Sequence, residues 1–382
     1  MKKLFDWTET KLAFLWRKAE DASRNNTRSL SLVRIIYGLY IVLFATPSFS
    51  WIGKVPQSLY LPPFFSLGSF FDDFPDYSWL LAIDISLIVC TVCLLLGVRA
   101  RYAGILFTFF YIIGFSFRVS FGKIDHGIMF PVFILGLSFT NWGVNYALIP
   151  DIKISEQLQR RVLAILAVTL CFGMFTAGFE KALNWIDFDL EKGGFLNWFY
   201  NGYYGLGRKY LLAPFVLLVP LQTFELFDYF AVIFELSPII ALLVGRQWWQ
   251  FWLLVASIFH LGNLLLLNIS FSSHAPVYLS FIPLDSFLKE TQIQLNKVQI
   301  ACFTFTMTAA IAIHHLFYIF ISNSISSLKV YILPLVKNRY ELSLYTGIFI
   351  WILTIFLIGI AVVKEFNNKS KITNFKDIQK LM

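Results

Sequence analysis

Three ionisable side chains stand within or at the edge of long apolar runs, where the chemistry open to them is proton transfer. Lys181 closes one run, and Glu235 and His260 lie near the middle of two later ones. An ionisable group at the centre of a membrane-spanning helix costs roughly 2.5 to 3.5 kcal/mol, so it needs a partner, a water-filled cavity or a route to the interface. We therefore predict that these side chains face the interior of a helical bundle.

Lys181 is the candidate base. The small residues Thr176, Ala177 and Gly178 precede it and allow another helix to approach closely. If the amine is buried, a low dielectric disfavours its charged form, and it can act as a general base near neutral pH. At the edge of the bilayer the same side chain can instead reach out to the interface. Both interpretations stay open on the sequence.

Glu235 and His260 are predicted to meet, because neighbouring antiparallel helices would bring them to the same depth. A hydrogen bond or a shared water would then join them. The alternative is that the two polar groups only hold helices together. Asn263 and Asn268 extend the polar face of the helix that carries His260, a pattern typical of a cavity wall.

Four further residues are assigned to the same pocket. His126 follows Asp125, whose carboxylate can fix the tautomer of the imidazole, although an ordinary loop histidine has the same pattern. Trp185 follows Lys181 in an aromatic stretch. Arg34 lies about one helical turn into the first apolar run, where it can serve the pocket or extend to the interface.

The composition predicts the elements that position these residues. Of 382 residues, 58% are hydrophobic, 18% are aromatic and 14% are charged, and the apolar blocks have the length of about 20 residues that a membrane-crossing helix needs. This predicts an all-α polytopic membrane bundle and excludes a secreted disulfide scaffold, a disordered protein and a soluble enzyme with a large water-facing domain. The net charge is +8. The Lys and Arg residues that cause it lie beside apolar segments, which favours contact with membrane lipid and not with nucleic acid.

The predicted topology has 9 to 10 transmembrane helices. Lys and Arg accumulate in the N-terminal segment, which places the N terminus in the cytoplasm, and a tenth crossing at 275–288 would return the basic tail to that side. Residues 1–29 are predicted as a cytoplasmic amphipathic segment, 30–288 as the main transmembrane domain, 289–382 as additional helices and tail, and about 179–225 as an aromatic extracytoplasmic cap. The nine predicted spans are 30–47, 79–97, 102–120, 127–142, 162–178, 226–245, 248–271, 299–322 and 344–363.

A series of short pieces between about Ser29 and Leu288 matches a known family in order and spacing. The pieces are Ser31–Gly38, Leu96–Arg101, Asp125–Gly127, Ala177–Lys181 with Trp185 and Gly193–Gly194, Glu235–Pro238, and Phe259–Asn263. Together they resemble the horizontally transferred transmembrane (HTTM) domain family, which includes the vitamin K-dependent gamma-carboxylases and their bacterial relatives.

The resemblance implies a cofactor and a role for each matched residue. In the carboxylases, the lysine of the matching segment is the base proposed to deprotonate vitamin K hydroquinone, so Lys181 takes that role. A reduced quinone of the vitamin K or menaquinol type is the expected cofactor, and no metal is expected. Its reaction with oxygen supplies a strong base that removes the gamma proton of a peptide glutamate, which then adds carbon dioxide. His126 and His260 match active-site histidines and would orient the quinone or the substrate.

The chain also departs from the carboxylases, which carry a large luminal region after the membrane domain. Here two more spans and a basic tail follow. The expected substrate is therefore a short secreted peptide or a small apolar molecule at the extracytoplasmic face of a bacterial inner or plasma membrane. Relatives similar to sporulation-delaying protein B, which helps to mature secreted peptide toxins, fit this expectation.

Two other functions stay open on the sequence. One is a non-catalytic factor for the maturation, export or immunity of a secreted peptide toxin, in which loss of Lys181 or His126 would have little effect. The other is a proton-coupled transporter, in which Glu235 and His260 carry protons near the middle of the membrane.

Overall fold

The architecture is known from a computed structural model, in which the regular elements of the described residues are helices. Two isolated β-bridges are the only extended pairings in that part of the chain. This confirms the predicted all-α class. The described residues are 2–64, 66–122, 126–187, 193–290 and 339–381, and the side chains of 2–8, 126, 288–290, 339 and 368–381 lie outside the description.

Fourteen helices can be given bounds in the described residues. They are α1 (Lys2–Ser23), α2 (Thr27–Phe44), α3 (Tyr77–Leu96), α4 (Ala100–Val119), α5 (Met129–Ser138), α6 (Glu156–Asn184), α7 (Gly194–Tyr200), α8 (Ala213–Val216), α9 (Gln222–Leu236), α10 (Pro238–Val244), α11 (Arg246–Leu267), α12 (His274–Leu279), α13 (Asp285–Glu290) and α14 (Arg339–Leu381).

Six of these helices are long and apolar enough to cross a membrane, which supports an integral membrane protein. They are α2, α3, α4, α6, α11 and the 340–367 part of α14. Helices α9 and α10 meet at a bend of 46° and count as a seventh span if the bent pair crosses as one, the other geometry being a re-entrant loop. The bend falls at Pro238, whose ring cannot continue the hydrogen-bond ladder of the preceding helix. The predicted span at 299–322 lies outside the described residues.

Two predicted crossings differ in the structure. Helix α5 has only 10 residues, about half of what a bilayer requires, because the chain turns back after Ser138. The segment predicted as a tenth crossing, 275–288, is not one helix, since α12 ends at Leu279 and α13 begins at Asp285. Pro283 lies between them and lacks the N–H that a continuous helix would need.

The described residues form two compact units. The first contains 2–24, 163–187, 193–282 and 339–381, and the second contains 25–64, 66–122, 126–162 and 283–290. Lys181, Glu235 and His260 all belong to the first unit, and Arg34 belongs to the second.

Arg34 is fully buried and acts as a structural tie, a side chain that links two segments of the second unit through hydrogen bonds. Its guanidinium donates to the carbonyls of Leu94 and Leu95 at the end of α3, and to those of Trp142 and Tyr146 in the turn after α5. The last carbonyls of a helix have no partner in their own helix, so a buried helix end needs donors of this kind. The expectation that Arg34 extends to the interface is therefore wrong, because its side chain is enclosed.

Gly97 makes room for this arrangement. It ends α3 with a φ of 68°, a left-handed conformation that favours glycine. A Cβ at this position would also lie 2.5 Å from Nη1 of Arg34. The segment Leu96–Arg101 that carries part of the family resemblance thus has a structural reason for its glycine.

Candidate proton-transfer site

Lys181 and Glu235 form an ion pair in the first unit, in which Nζ of Lys181 donates to Oε1 of Glu235. The Glu235 side chain is 6% exposed and the Lys181 side chain is 23% exposed. The lysine is thus neither an isolated neutral amine nor a freely solvated ammonium. Moving one proton along the hydrogen bond converts the ion pair into a neutral amine beside a carboxylic acid, so the two groups can act as one proton-exchanging unit.

The contact between α6 and α9 depends on Gly178, one turn before Lys181. A Cβ on Gly178 would lie 2.8 Å from Cβ of Glu235 and 3.1 Å from its carbonyl carbon. The first separation is shorter than real Cβ contacts and the second is unusually tight, so a residue larger than glycine would push the two backbones apart. The prediction from small residues at this point of the sequence is confirmed at Gly178.

We expect Gly178→Ala to separate Lys181 from Glu235 and to lower the melting temperature of the purified protein. Overpacking of this kind costs about 1–3 kcal/mol, more than the ~1 kcal/mol that alanine gains over glycine in a helix. The matched control is Gly262→Ala in α11, because a Cβ there meets no atom within 4 Å. Thermal unfolding in detergent is the measurement, and equal melting temperatures for the two variants would contradict the close approach.

Trp185 is held over the lysine by a second layer of contacts. The Lys181 ammonium lies 5.1 Å from the centre of a Trp185 ring, within the range of a cation–π interaction. The indole packs on Gly194, where a Cβ would come within 2.1 Å of it. Asp228 accepts hydrogen bonds of 2.8 Å from the backbone N–H groups of Gly194 and Phe195, and so fixes the start of α7.

His260 lies in a buried aromatic cluster of the first unit. Its Nε2 is 2.7 Å from the hydroxyl of Tyr278, and its ring stacks on Trp351 with centroids 5.2 Å apart. The His274 ring lies at 5.3 Å. His260 is 5% exposed, and its Nδ1 has no hydrogen-bond partner among the described residues.

The ion pair and the aromatic cluster belong to one site. Lys181 is close enough to His260, and Glu235 to Tyr278, for each pair to interact electrostatically. Five ionisable groups from four helices therefore share this part of the first unit. They are Lys181 on α6, Glu235 on α9, His260 on α11, and His274 and Tyr278 on α12.

The predicted pairing of Glu235 with His260 is replaced by two other contacts. Glu235 binds Lys181, and His260 binds Tyr278. Depth in the membrane, which the sequence gives, does not determine the direction in which each side chain points around its helix. The actual partners are on other helices, α6 for Glu235 and α12 for His260.

Asn268 has a structural role at the end of α11, whereas the assignment of the half-buried Asn263 side chain to the pocket stays a prediction. The backbone carbonyl of Asn263 accepts from the N–H of Asn268, which ends the helix with a φ of 53°. The Asn268 amide then donates to the carbonyl of Tyr210 and accepts from its N–H. Asn268 therefore anchors a loop, and the prediction that it lines a cavity is wrong.

The assignment of His126 and Asp125 to the pocket stays a prediction. His126 begins a 3₁₀ turn, His126–Ile128, just before α5, and its side chain lies outside the described residues, as does the whole of Asp125. Arg34 donates to backbone carbonyls of the second unit. Its assignment to the pocket is replaced by the structural role described above.

Sequence reasoning did not identify His274 and Tyr278. They lie at the beginning of the predicted tenth crossing, 275–288, or directly before it, and neither has a charged neighbour that would mark it as a site residue. The signal that could have found them is the polar run Ser272–His274 directly before an apolar stretch, because a polar group entering a membrane helix needs a partner.

The described residues contain no group of three or more His, Cys, Asp or Glu side chains that could hold a metal ion. Comparison of the chain with protein-family models, with curated proteins and with solved structures finds no match.

Proposed function

We propose that this chain is a membrane-embedded enzyme in which the Lys181–Glu235 pair removes a proton from a reduced quinone, and that it acts on a short peptide or a small apolar substrate at the extracytoplasmic face. The observation that carries the proposal is the Lys181–Glu235 ion pair within electrostatic range of the buried His260–Tyr278 pair. The cytoplasmic N terminus and the bacterial inner or plasma membrane are parts of the same proposal.

The opposite charges of Lys181 and Glu235 lower the free-energy cost of the proton transfer in an apolar environment. A proton first moves from Lys181 to Glu235, which leaves a neutral amine and a carboxylic acid. The amine then takes the proton of a phenol and becomes an ammonium beside the phenolate. Two opposite charges exist before and after the reaction, so the number of buried charges does not rise. Glu235 stores the proton that would otherwise block the base.

The surroundings of Lys181 fit an apolar aromatic cofactor. Trp185 lies beside the ammonium, and Phe179 and Leu183 on the same helix are exposed, as expected for side chains that meet lipid. When bound, the reduced quinone would supply the reducing power and, with oxygen, the strong base that the resembling carboxylases use. His260 would orient an oxygen of the quinone or of the substrate through its free ring nitrogen.

The proposal is tested with the purified full-length chain in nanodiscs. Mass spectrometry of its lipid extract should detect a bound quinone. Incubation with reduced menaquinone or vitamin K, labelled bicarbonate and a short glutamate-containing peptide should then give quinol-dependent incorporation of label. Quinol oxidation and label incorporation no faster than in empty nanodiscs would overturn the proposal.

A proton-coupled transporter is the second candidate, and the break between α9 and α10 favours it. Glu235 lies two residues before the bend of 46°, and interrupted helices beside a charged residue are typical of transporter sites. Proton-driven uptake of a substrate into sealed vesicles, lost in Glu235→Gln, would select this function. An enzyme predicts turnover in nanodiscs, where no gradient exists.

A further inference from the structure

Two arrangements of one proton are possible between His260 and Tyr278, and they differ in which buried donor and acceptor they leave without a partner. For a neutral imidazole, either the phenol donates to Nε2 or Nε2–H donates to the phenol oxygen. The hydroxyl of Tyr278 has no second hydrogen-bond partner among the described residues, and neither has Nδ1 of His260. The heavy atoms alone do not distinguish the two arrangements.

The chemistry of the groups left unpaired favours the phenol as the donor. If Tyr278 donates to Nε2, the N–H at Nδ1 of His260 and the lone pairs of the phenol oxygen stay unpaired. If Nε2–H donates instead, the phenol proton and the lone pair of Nδ1 stay unpaired. An imidazole nitrogen is a stronger acceptor than a phenol oxygen, and a phenol is a stronger donor than the N–H of a neutral imidazole. The first arrangement therefore forms the stronger hydrogen bond and leaves the weaker donor and acceptor buried without a partner.

We propose that Tyr278 is a positioning residue that holds His260 in the Nδ1–H tautomer, and that this N–H is the donor for an oxygen atom of the bound substrate or cofactor. Trp351 stacks on the imidazole and Phe271 packs at 5.0 Å, so the ring cannot easily rotate to exchange its two nitrogens. The free N–H is thus a fixed, buried donor. A ligand oxygen, as a carbonyl, a carboxylate or a phenolate, is the partner that its chemistry requires.

The inference deepens the proposed function, because it assigns the recognition of an oxygen atom to the same site that holds Lys181. It makes a claim that can be measured without any activity. The tautomer of His260 is a property of the resting protein, whereas the role of Lys181 is a property of the reaction. The two can therefore fail separately.

The experiment is nitrogen NMR of the full-length protein in lipid, labelled with ¹⁵N-histidine. The signals of His260 are identified by their loss in His260→Asn. In the unchanged protein we expect Nδ1 to be protonated and Nε2 to be unprotonated. In Tyr278→Phe the proton should redistribute toward Nε2, and in the control Tyr345→Phe, which removes an exposed hydroxyl of α14, it should not.

The activity arm uses the same variants. Tyr278→Phe should lower the turnover number about 10-fold or more, the effect of one lost hydrogen bond at a reacting group, with little change for Tyr345→Phe. An Nε2–H tautomer in the unchanged protein, or an unaltered spectrum in Tyr278→Phe, would overturn the inference and leave the role of Lys181 intact. The expected spectra together with an active Lys181→Ala would uphold the tautomer and reject the proposed base.

Discussion

Replacing Lys181 with alanine should lower quinol-dependent turnover by at least about 100-fold, the lower range for loss of a general base. The protein should still insert and accumulate, because Glu235 can bind a proton and become neutral once its partner is gone. Turnover is measured as label incorporation and quinol oxidation in nanodiscs. Abundance is measured by fluorescence-detected size exclusion of the same preparations.

Lys181→Arg separates the catalytic role from the structural one. A guanidinium can keep the ion pair with Glu235, but it cannot be deprotonated in a protein and so cannot act as a base. We expect this variant to be as stable as the unchanged protein and as inactive as Lys181→Ala. The control Lys153→Ala removes an exposed lysine outside the site and should leave turnover unchanged.

The outcomes of the two lysine variants decide between the hypotheses. Near-normal turnover in Lys181→Arg would show that the cation, and not its proton, is what the site needs. Near-normal function in both variants would favour a non-catalytic maturation factor, for which this lysine has little consequence. Loss of turnover accompanied by loss of the folded protein in Lys181→Ala would mean that the ion pair holds α6 against α9.

The spanning helices could be predicted from the sequence because length and hydropathy directly reflect the thickness of a bilayer. The predicted segment 79–97 corresponds to Tyr77–Leu96, and 102–120 corresponds to Ala100–Val119. The same rule failed at 127–142, where the apolar count does not show that the chain turns after Ser138. Hydropathy measures the transfer of a segment from water to lipid. It does not show that a turn is needed here to supply backbone carbonyls to a buried arginine.

The candidate site was predicted in part. Lys181, Glu235 and His260 were found because an ionisable group in an apolar run stands out, and the structure places all three in the first unit. Their partners could not be found in the same way. Tyr278, for example, does not stand out, because tyrosine is amphipathic and common in membrane helices. The contact that joins Lys181 to Glu235 depends on the missing Cβ of Gly178, a packing effect that a list of polar residues does not reveal.

Arg34 shows how one residue type can mislead a sequence-based prediction. A single arginine within an apolar run is compatible with a binding site, with a side chain that reaches the interface, or with a buried structural tie. The structure supports the last of these, because the guanidinium is fully buried and donates to carbonyls at the end of α3 and in the turn after α5.

We expect Arg34→Met to lower the melting temperature by on the order of 10 °C and to reduce the yield of folded protein. Methionine has a similar length but no donors, so several buried carbonyls would lose their partners, and loss of one member of a buried charged network costs about 3–5 kcal/mol. Arg34→Lys should recover little, because one ammonium cannot serve carbonyls on two segments as a planar guanidinium does. Thermal unfolding in detergent and folded yield are the measurements.

The control for Arg34 is Arg160→Met on α6, which removes an exposed guanidinium and should change the melting temperature little. Turnover per folded molecule separates the structural tie from a pocket residue. If Arg34 has a structural role, activity should fall only with the amount of folded protein, because its guanidinium donates to backbone carbonyls and not to a ligand. If Arg34 lines the pocket instead, the Arg34→Lys protein should be stable and should have a raised KM. That result would contradict the structural role inferred from the hydrogen bonds.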